Sequence, residues 1–119
     1  MVINLKSSRD ILSVNLQKRM RAIKKSWTPI DVARVNDQVV RMALYKGSYH
    51  WHSHKEDELF YVLKGQIIIQ LRNEKEIKLS KGEIAVVPKG VEHCPKSQKG
   101  AFVLMFEPSV LKSKGKKGD

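Results

Sequence analysis

One cysteine, Cys94, stands in a chain of 119 residues, which excludes an internal disulfide and the cysteine-rich centres that zinc uses for structure. Acids are few beside bases, 12 against 23, for a net charge of +11. The excess lies at the ends: residues 1–27 carry seven Lys/Arg and one acid, residues 108–119 four and one, and residues 28–107 twelve and ten. A basic balance confined to the ends reads as solvated surface, and no nucleic-acid-binding motif accompanies it, so nucleic acid and anionic membrane are not expected partners. Long apolar runs are also missing. The longest, Ala101 to Phe106, is far short of the roughly 20 residues of a membrane-spanning helix. There is no charged-then-apolar leader, and with one lone thiol this sets the expectation of a cytoplasmic protein.

What is present suffices for one core, since 41% of the residues are apolar. Leu12, Leu16, Met20, Ile23 and Trp27 follow each other at steps of four, four, three and four, the stripe of an amphipathic helix that Ser7 or Ser8 caps and Thr28-Pro29 stops. Lys18, Arg19, Arg21, Lys24 and Lys25 take its other faces. After Pro29 the pattern turns to short segments rich in Val, Ile, Tyr and Phe. Strands are expected near residues 30–35, 38–45, 49–52, 58–63, 66–71, 76–79, 83–87, 92–96 and 102–106, an all-β sandwich or barrel. Lys64-Gly65, Arg72-Asn73, Lys81-Gly82 and Lys89-Gly90 supply turns. The chain thus divides into an extension over residues 1–29, a β body over 30–108 and a basic Lys/Gly-rich tail over 109–119, whose low-complexity stretch Lys112–Gly118 cannot bury enough surface to fold alone.

Three of the four histidines, His50, His52 and His54, fall within five positions. On an extended strand alternate side chains share a face, so His52 and His54 can converge on one point. Glu58 can join them once a short bend returns the chain, and the remote His93 supplies a fourth donor for one divalent metal ion. Glu56 and Asp57 are expected in solvent, either standing in for Glu58 under a different loop register. His50, on the same face, is a candidate catalytic acid–base group or accessory ligand, or else a satisfied histidine beside the site. Cys94 should point away from His93 by alternation. Phe60, Val62, Ile67, Ile69, Val86, Leu104 and Phe106 are the candidate lining.

The run Gly47-x4-His52-x-His54-x3-Glu58-x6-Gly65 resembles the first cupin motif, and Gly82-x5-Pro88-x-Gly90-x2-His93-x3-Ser97 the second. The resemblance spans about residues 30 to 108, and phrases such as Asp57-Glu58-Leu59-Phe60 look like the small single-domain cupins labelled mannose-6-phosphate isomerase-like. It implies a jelly-roll β-barrel with the ion inside, held by His52, His54, Glu58 and His93. Four residues instead of five separate Gly47 from His52, and Ser97 stands where the family usually has Asn.

A His3Glu set leaves two positions of an octahedral ion for water, dioxygen or substrate, and Mn, Fe, Co, Ni, Cu and Zn all accept such donors. The expected function is a metal-dependent enzyme, an isomerase or epimerase or a dioxygenase, acting on a small polar metabolite. Its rival is a non-catalytic module that uses the ion to grip or sense a small molecule. A homodimer is expected, with Ile30–Val35 as the sheet edge that needs cover.

Overall fold

In a computed structural model of the chain, residues 10–73 and 75–109 are described. One helix, α1 (Leu16–Ala22), precedes seven strands: β1 (Ile30–Val35), β2 (Gln38–Ser48), β3 (Glu58–Lys64), β4 (Gln66–Leu71), β5 (Glu76–Ser80), β6 (Ile84–Val87) and β7 (His93–Pro108). Ser7, Ser8, the Lys112–Gly118 stretch and most of the tail lie outside the described residues.

The expected strands at 92–96 and 102–106 are one strand, β7, and this strand organises the fold. Its later half runs antiparallel between β2 and β3, in a sheet ordered β1-β2-β7-β3-β6. Its earlier half leaves that sheet to pair with β4, with Ile68 opposite Lys96 and Leu71 opposite His93, and β4 carries β5. Between the halves the β2 register shifts, from Tyr45 opposite Ala101 to Gly47 opposite Ser97. Such an irregularity lets a strand bend from one layer into the next. The inward residues of both layers, among them Ala43, Tyr45, Phe60, Val62, Ile67, Ile69, Val103 and Met105, form the main core.

The ladders do not close into the barrel that the sequence suggested. Among the described residues β6 pairs only with β3, and β5 only with β4. The turn after β5 extends the β3–β6 pairing, with Gly82 N–H donating to the Val62 carbonyl at 2.8 Å and Val62 N–H to the Glu83 carbonyl at 3.1 Å.

The helix is shorter than its stripe. Asn15 caps it, its side chain accepting from Lys18 N–H, and the chain is extended again at Ile23. Leu16, Met20 and Ile23 pack with Val32, Met42 and Leu104 on the outer face of the large sheet, whereas Leu12 stays 64% exposed. Trp27 joins the inner core instead. It takes a positive φ of 58°, donating its N–H to the Leu44 carbonyl and its indole N–H to the Lys46 carbonyl, both at 2.8 Å. The spacing that reads as one stripe therefore serves two cores, and two hydrogen bonds to β2 take Trp27 out of helical geometry.

Gly65, between β3 and β4, has φ +90°, and a Cβ there would lie 2.5 Å from the Gly100 carbonyl oxygen. Backbone strain and this close approach act together. Gly65→Ala is expected to cost roughly 2 kcal/mol or more; a denaturant midpoint equal to that of the unaltered chain would contradict this reading of the turn.

Candidate metal centre

The segment 49–57 between β2 and β3 is not the regular strand expected at 49–52. Tyr49 N–H donates to the Pro95 carbonyl, and the one bridge is at His52, whose backbone exchanges bonds of 3.1 and 2.9 Å with His93. Aromatic contacts occupy the neighbouring side chains: Tyr49 stacks on Trp27 at 4.9 Å and on His50 at 3.9 Å, and the Arg72 guanidinium sits 4.1 Å from the Trp51 ring centre. The His52–His93 bridge joins the two histidine-bearing stretches directly.

Both histidines of that bridge are oriented by backbone. His52 Nδ1 lies 2.9 Å from the His50 carbonyl oxygen, and His93 Nδ1 lies 2.9 Å from that of Val91. A carbonyl only accepts, so each Nδ1 carries the proton and each Nε2 keeps its lone pair. His54 Nε2 is 3.2 Å and His93 Nε2 3.9 Å from Glu58 Oε1. The bend that brings Glu58 back is fixed by Asp57, which accepts from Lys89 N–H at 2.9 Å, and by Gly90 N–H donating to the His54 carbonyl. Asp57 thus ties two loops together, and Glu56 is exposed.

One donor atom from each of His52, His54, Glu58 and His93 lies within 4.8 Å of the other three. Two donors that share an ion at roughly 2.1 Å lie up to about 4.2 Å apart, so the set is near coordination size. Glu58 Oε1 and His93 Nε2 are buried without a hydrogen-bond partner. Buried polar atoms are rarely left so, and a cation between them would satisfy both. The residues therefore fit a divalent ion and could hold one. His50 stands outside this group. Its ring is 5.6 Å from that of His52, and its carbonyl is what orients His52.

The electrostatics have the same direction. Burial, then the neighbouring His93 and His54, push His52 down to about 4, keeping its imidazole neutral. Burial opposes the charge of Glu58, but the neighbouring His54, His93 and Glu107 outweigh it and hold the carboxyl well below the usual range. A histidine with a folded pKa below its unfolded 6.5 contributes stability that is present above pH 6.5 and lost as pH falls towards 4. In chelator the melting temperature is expected to drop across that window, and His52→Gln to flatten the drop; an equally steep drop in the variant would assign it elsewhere.

Sequence reasoning missed the charged residues behind the site. Arg41, inward on β2 with Val39 and Ala43, bonds to Asp31 Oδ1 on β1 and to Glu107 Oε2 on β7. Glu107 is in turn next to Glu58 on β3, one residue beyond the Leu59–Phe106 pair. Burial and the Glu58 carboxylate push Glu107 up to about 8, against the pull of Arg41. The signal was available: each charge stands at an inward position of an apolar strand. Cys94 is buried, its Sγ 3.6 Å from the Tyr49 carbonyl oxygen, and burial raises its pKa, so it is a poor nucleophile.

Comparison with known proteins agrees with this construction. Over 84 residues the chain is 33% identical to the uncharacterized protein YdbB of Bacillus subtilis (strain 168), covering 70% of this chain and 74% of that protein. It is 29% identical over 62 residues to acireductone dioxygenase of Tuber melanosporum (strain Mel28), 49% of this chain and 36% of that longer protein. The crystal structure of a cupin-2 domain containing protein from Shewanella frigidimarina NCIMB 400 superposes with a TM-score of 0.77 at 32% identity, over 80% of this chain and 93% of that one. Residues 39–106 match the family described as Cupin domain, and these residues include both motifs and all four candidate ligands. The chain belongs to the Cupin domain family.

Proposed function

We propose that the protein is a mononuclear divalent-metal cupin enzyme in which His52, His54, Glu58 and His93 hold the ion and a small polar metabolite reacts beside it. The observation that carries this reading is the pair of buried atoms, Glu58 Oε1 and His93 Nε2, that make no hydrogen bond among the described residues and face two further histidines. When bound, the ion supplies Lewis acidity and positions for small ligands. The chain's own part is to present neutral imidazoles, through the His50 and Val91 carbonyls, and to keep Glu58 ionised. Tyr45, buried with its hydroxyl donating to Met105 Sδ at 3.0 Å, and Phe60, edge-on to His93 at 6.1 Å, shield the inner side.

The likeness to an acireductone dioxygenase supports oxygen insertion over isomerisation. The resemblance to mannose-6-phosphate isomerase-like cupins supports the isomerase arm. Metal content of the purified protein and oxygen uptake with candidate enediols and catechols decide between them. Bound iron with substrate-dependent uptake supports the dioxygenase; turnover without uptake supports the isomerase. A redox-inert ion with a copurified small molecule and no turnover would replace both by a sensing module. One observation favours that last reading: the His50 ring is stacked on Tyr49 and does not join the ligand group.

The same reading includes a cytoplasmic homodimer. Among the described residues β1 is an open edge, and Ile84, Val86 and Phe106 are exposed on the large sheet, features that a second copy would cover. Light scattering is expected to give twice 13.6 kDa; a monomer at all micromolar concentrations removes this part.

A further inference from the structure

Asp31, Arg41, Glu107 and Glu58 come one each from β1, β2, β7 and β3, which is the order of those strands in the sheet. Leu59 lies opposite Phe106, so continuing that register by one residue sets Glu58 opposite Glu107. Arg41, Glu107 and Glu58 are all buried, and Asp31 is half exposed at the edge. They form a polar row across four strands, with the proposed metal ligand at its inner end.

Arg41 is already bonded to Asp31 at 2.8 Å, so a neutralising partner for Arg41 does not by itself require Glu107 to reach Glu58. Yet Glu107 bonds Arg41 and, by the β3–β7 register, faces Glu58 from the neighbouring strand with both side chains buried. A carboxylate offered to a metal keeps rotational freedom about its last bond unless another group fixes it, and such supporting bonds set ligand orientation and affinity. The neighbouring ligands His52 and His93 have that support from backbone carbonyls. For Glu58 it comes from a side chain two strands away from Arg41's own anchor.

We propose that Glu107 is a positioning residue of the metal site, one that braces the Glu58 carboxylate against the Arg41–Asp31 pair and so sets its approach to the ion. This rests on the metal-site reading above. Glutamine is the conservative replacement, of the same length and shape: its amide can donate to Glu58 while its carbonyl accepts from Arg41.

The test is calorimetric titration of the chelated full chain with Mn(II) or Co(II), with the Co(II) visible spectrum as a report on coordination. Glu107→Met is expected to weaken binding about 10–100-fold and to alter the spectrum, whereas Glu107→Gln stays within about threefold of the unaltered chain. Circular dichroism before titration shows whether each variant is folded. Should Glu107→Met not fold, Glu107→Asp serves in its place, since it keeps the acid but withdraws it by one methylene, and it must show the same loss. A folded Met or Asp variant that binds as tightly as the unaltered chain overturns the proposal, as does a Gln variant as weak as Met. Failure of the unaltered chain to bind either ion would overturn the metal-site reading together with this one; unchanged affinity in the variants would sink only the role of Glu107.

Discussion

Replacing His93 by alanine is expected to weaken binding of a divalent ion by about a hundredfold or more, a larger loss than the 10–100-fold typical of supporting residues. His93 is 1% exposed, its Nδ1 is occupied by the Val91 carbonyl, and its Nε2 makes no hydrogen bond among the described residues. Alanine removes a donor from a position that water can refill only by entering the core. His52→Ala and His54→Ala should each cost at least about tenfold, both being partly exposed and replaceable by solvent. His50→Ala should change affinity little, because the contact it makes with His52 uses its backbone carbonyl, which alanine retains. Calorimetry on the four variants checks this ordering. Equal losses at His50 and His52 would show that the ligand set is misassigned.

Chelation is expected to leave the chain folded, and saturation with metal to raise its melting temperature by roughly 15 °C or more. At a thousandfold excess over Kd an ion that binds only the folded state contributes about 4 kcal/mol, and each kcal/mol moves the melt of a domain near this size by about 4 °C. In small zinc modules the ion replaces a core, so its removal unfolds them. Here Phe60, Ile67, Ile69, Val62 and Val103 are almost wholly buried, and apolar burial at roughly 25 cal/mol per Å² holds the sheets without help. The four donors sit beside that core. Retained β-sheet dichroism with a lower, cooperative melt after exhaustive chelation is the expected outcome. Collapse of the spectrum at room temperature would make the ion structural and would remove the argument for an enzyme.

The candidate ligands were legible because their chemistry is rare and their spacing regular. Three histidines in five positions, a carboxylate four residues later and a histidine preceded by Pro88 and Gly90 point to one site whatever path the chain takes between them. The route by which they meet was less legible. Alternation on a strand predicts a shared face for His50, His52 and His54, but the segment is held by one bridge and by ring stacking, and only His52 and His54 reach the centre. Helical spacing similarly continued through Trp27, where two hydrogen bonds to β2 decide otherwise. Local periodicity does not register a partner far away in sequence. Arg41 and Glu107 were legible only in part: alternation along an apolar strand places each inward, but the group that pairs with it lies on a strand far away in sequence.

The long strand β7 carries His93 at its start and lies between β2 and β3 at its end. During synthesis His52, His54 and Glu58 are therefore made before the strand that completes their site, and at about 5–20 residues per second the interval lasts seconds. A nascent chain in that interval offers a three-donor fragment without β7, the strand that joins β2 to β3. Thiol and carboxylate buffers of the cell would outcompete so loose a chelate for whichever ion it met. An ion held by these four residues would then be chosen after release, by the finished cavity and the exchangeable metal pool around it. Loading the purified apoprotein should accordingly give the same centre as loading in the cell, so that growth on different metals changes occupancy without changing the fold.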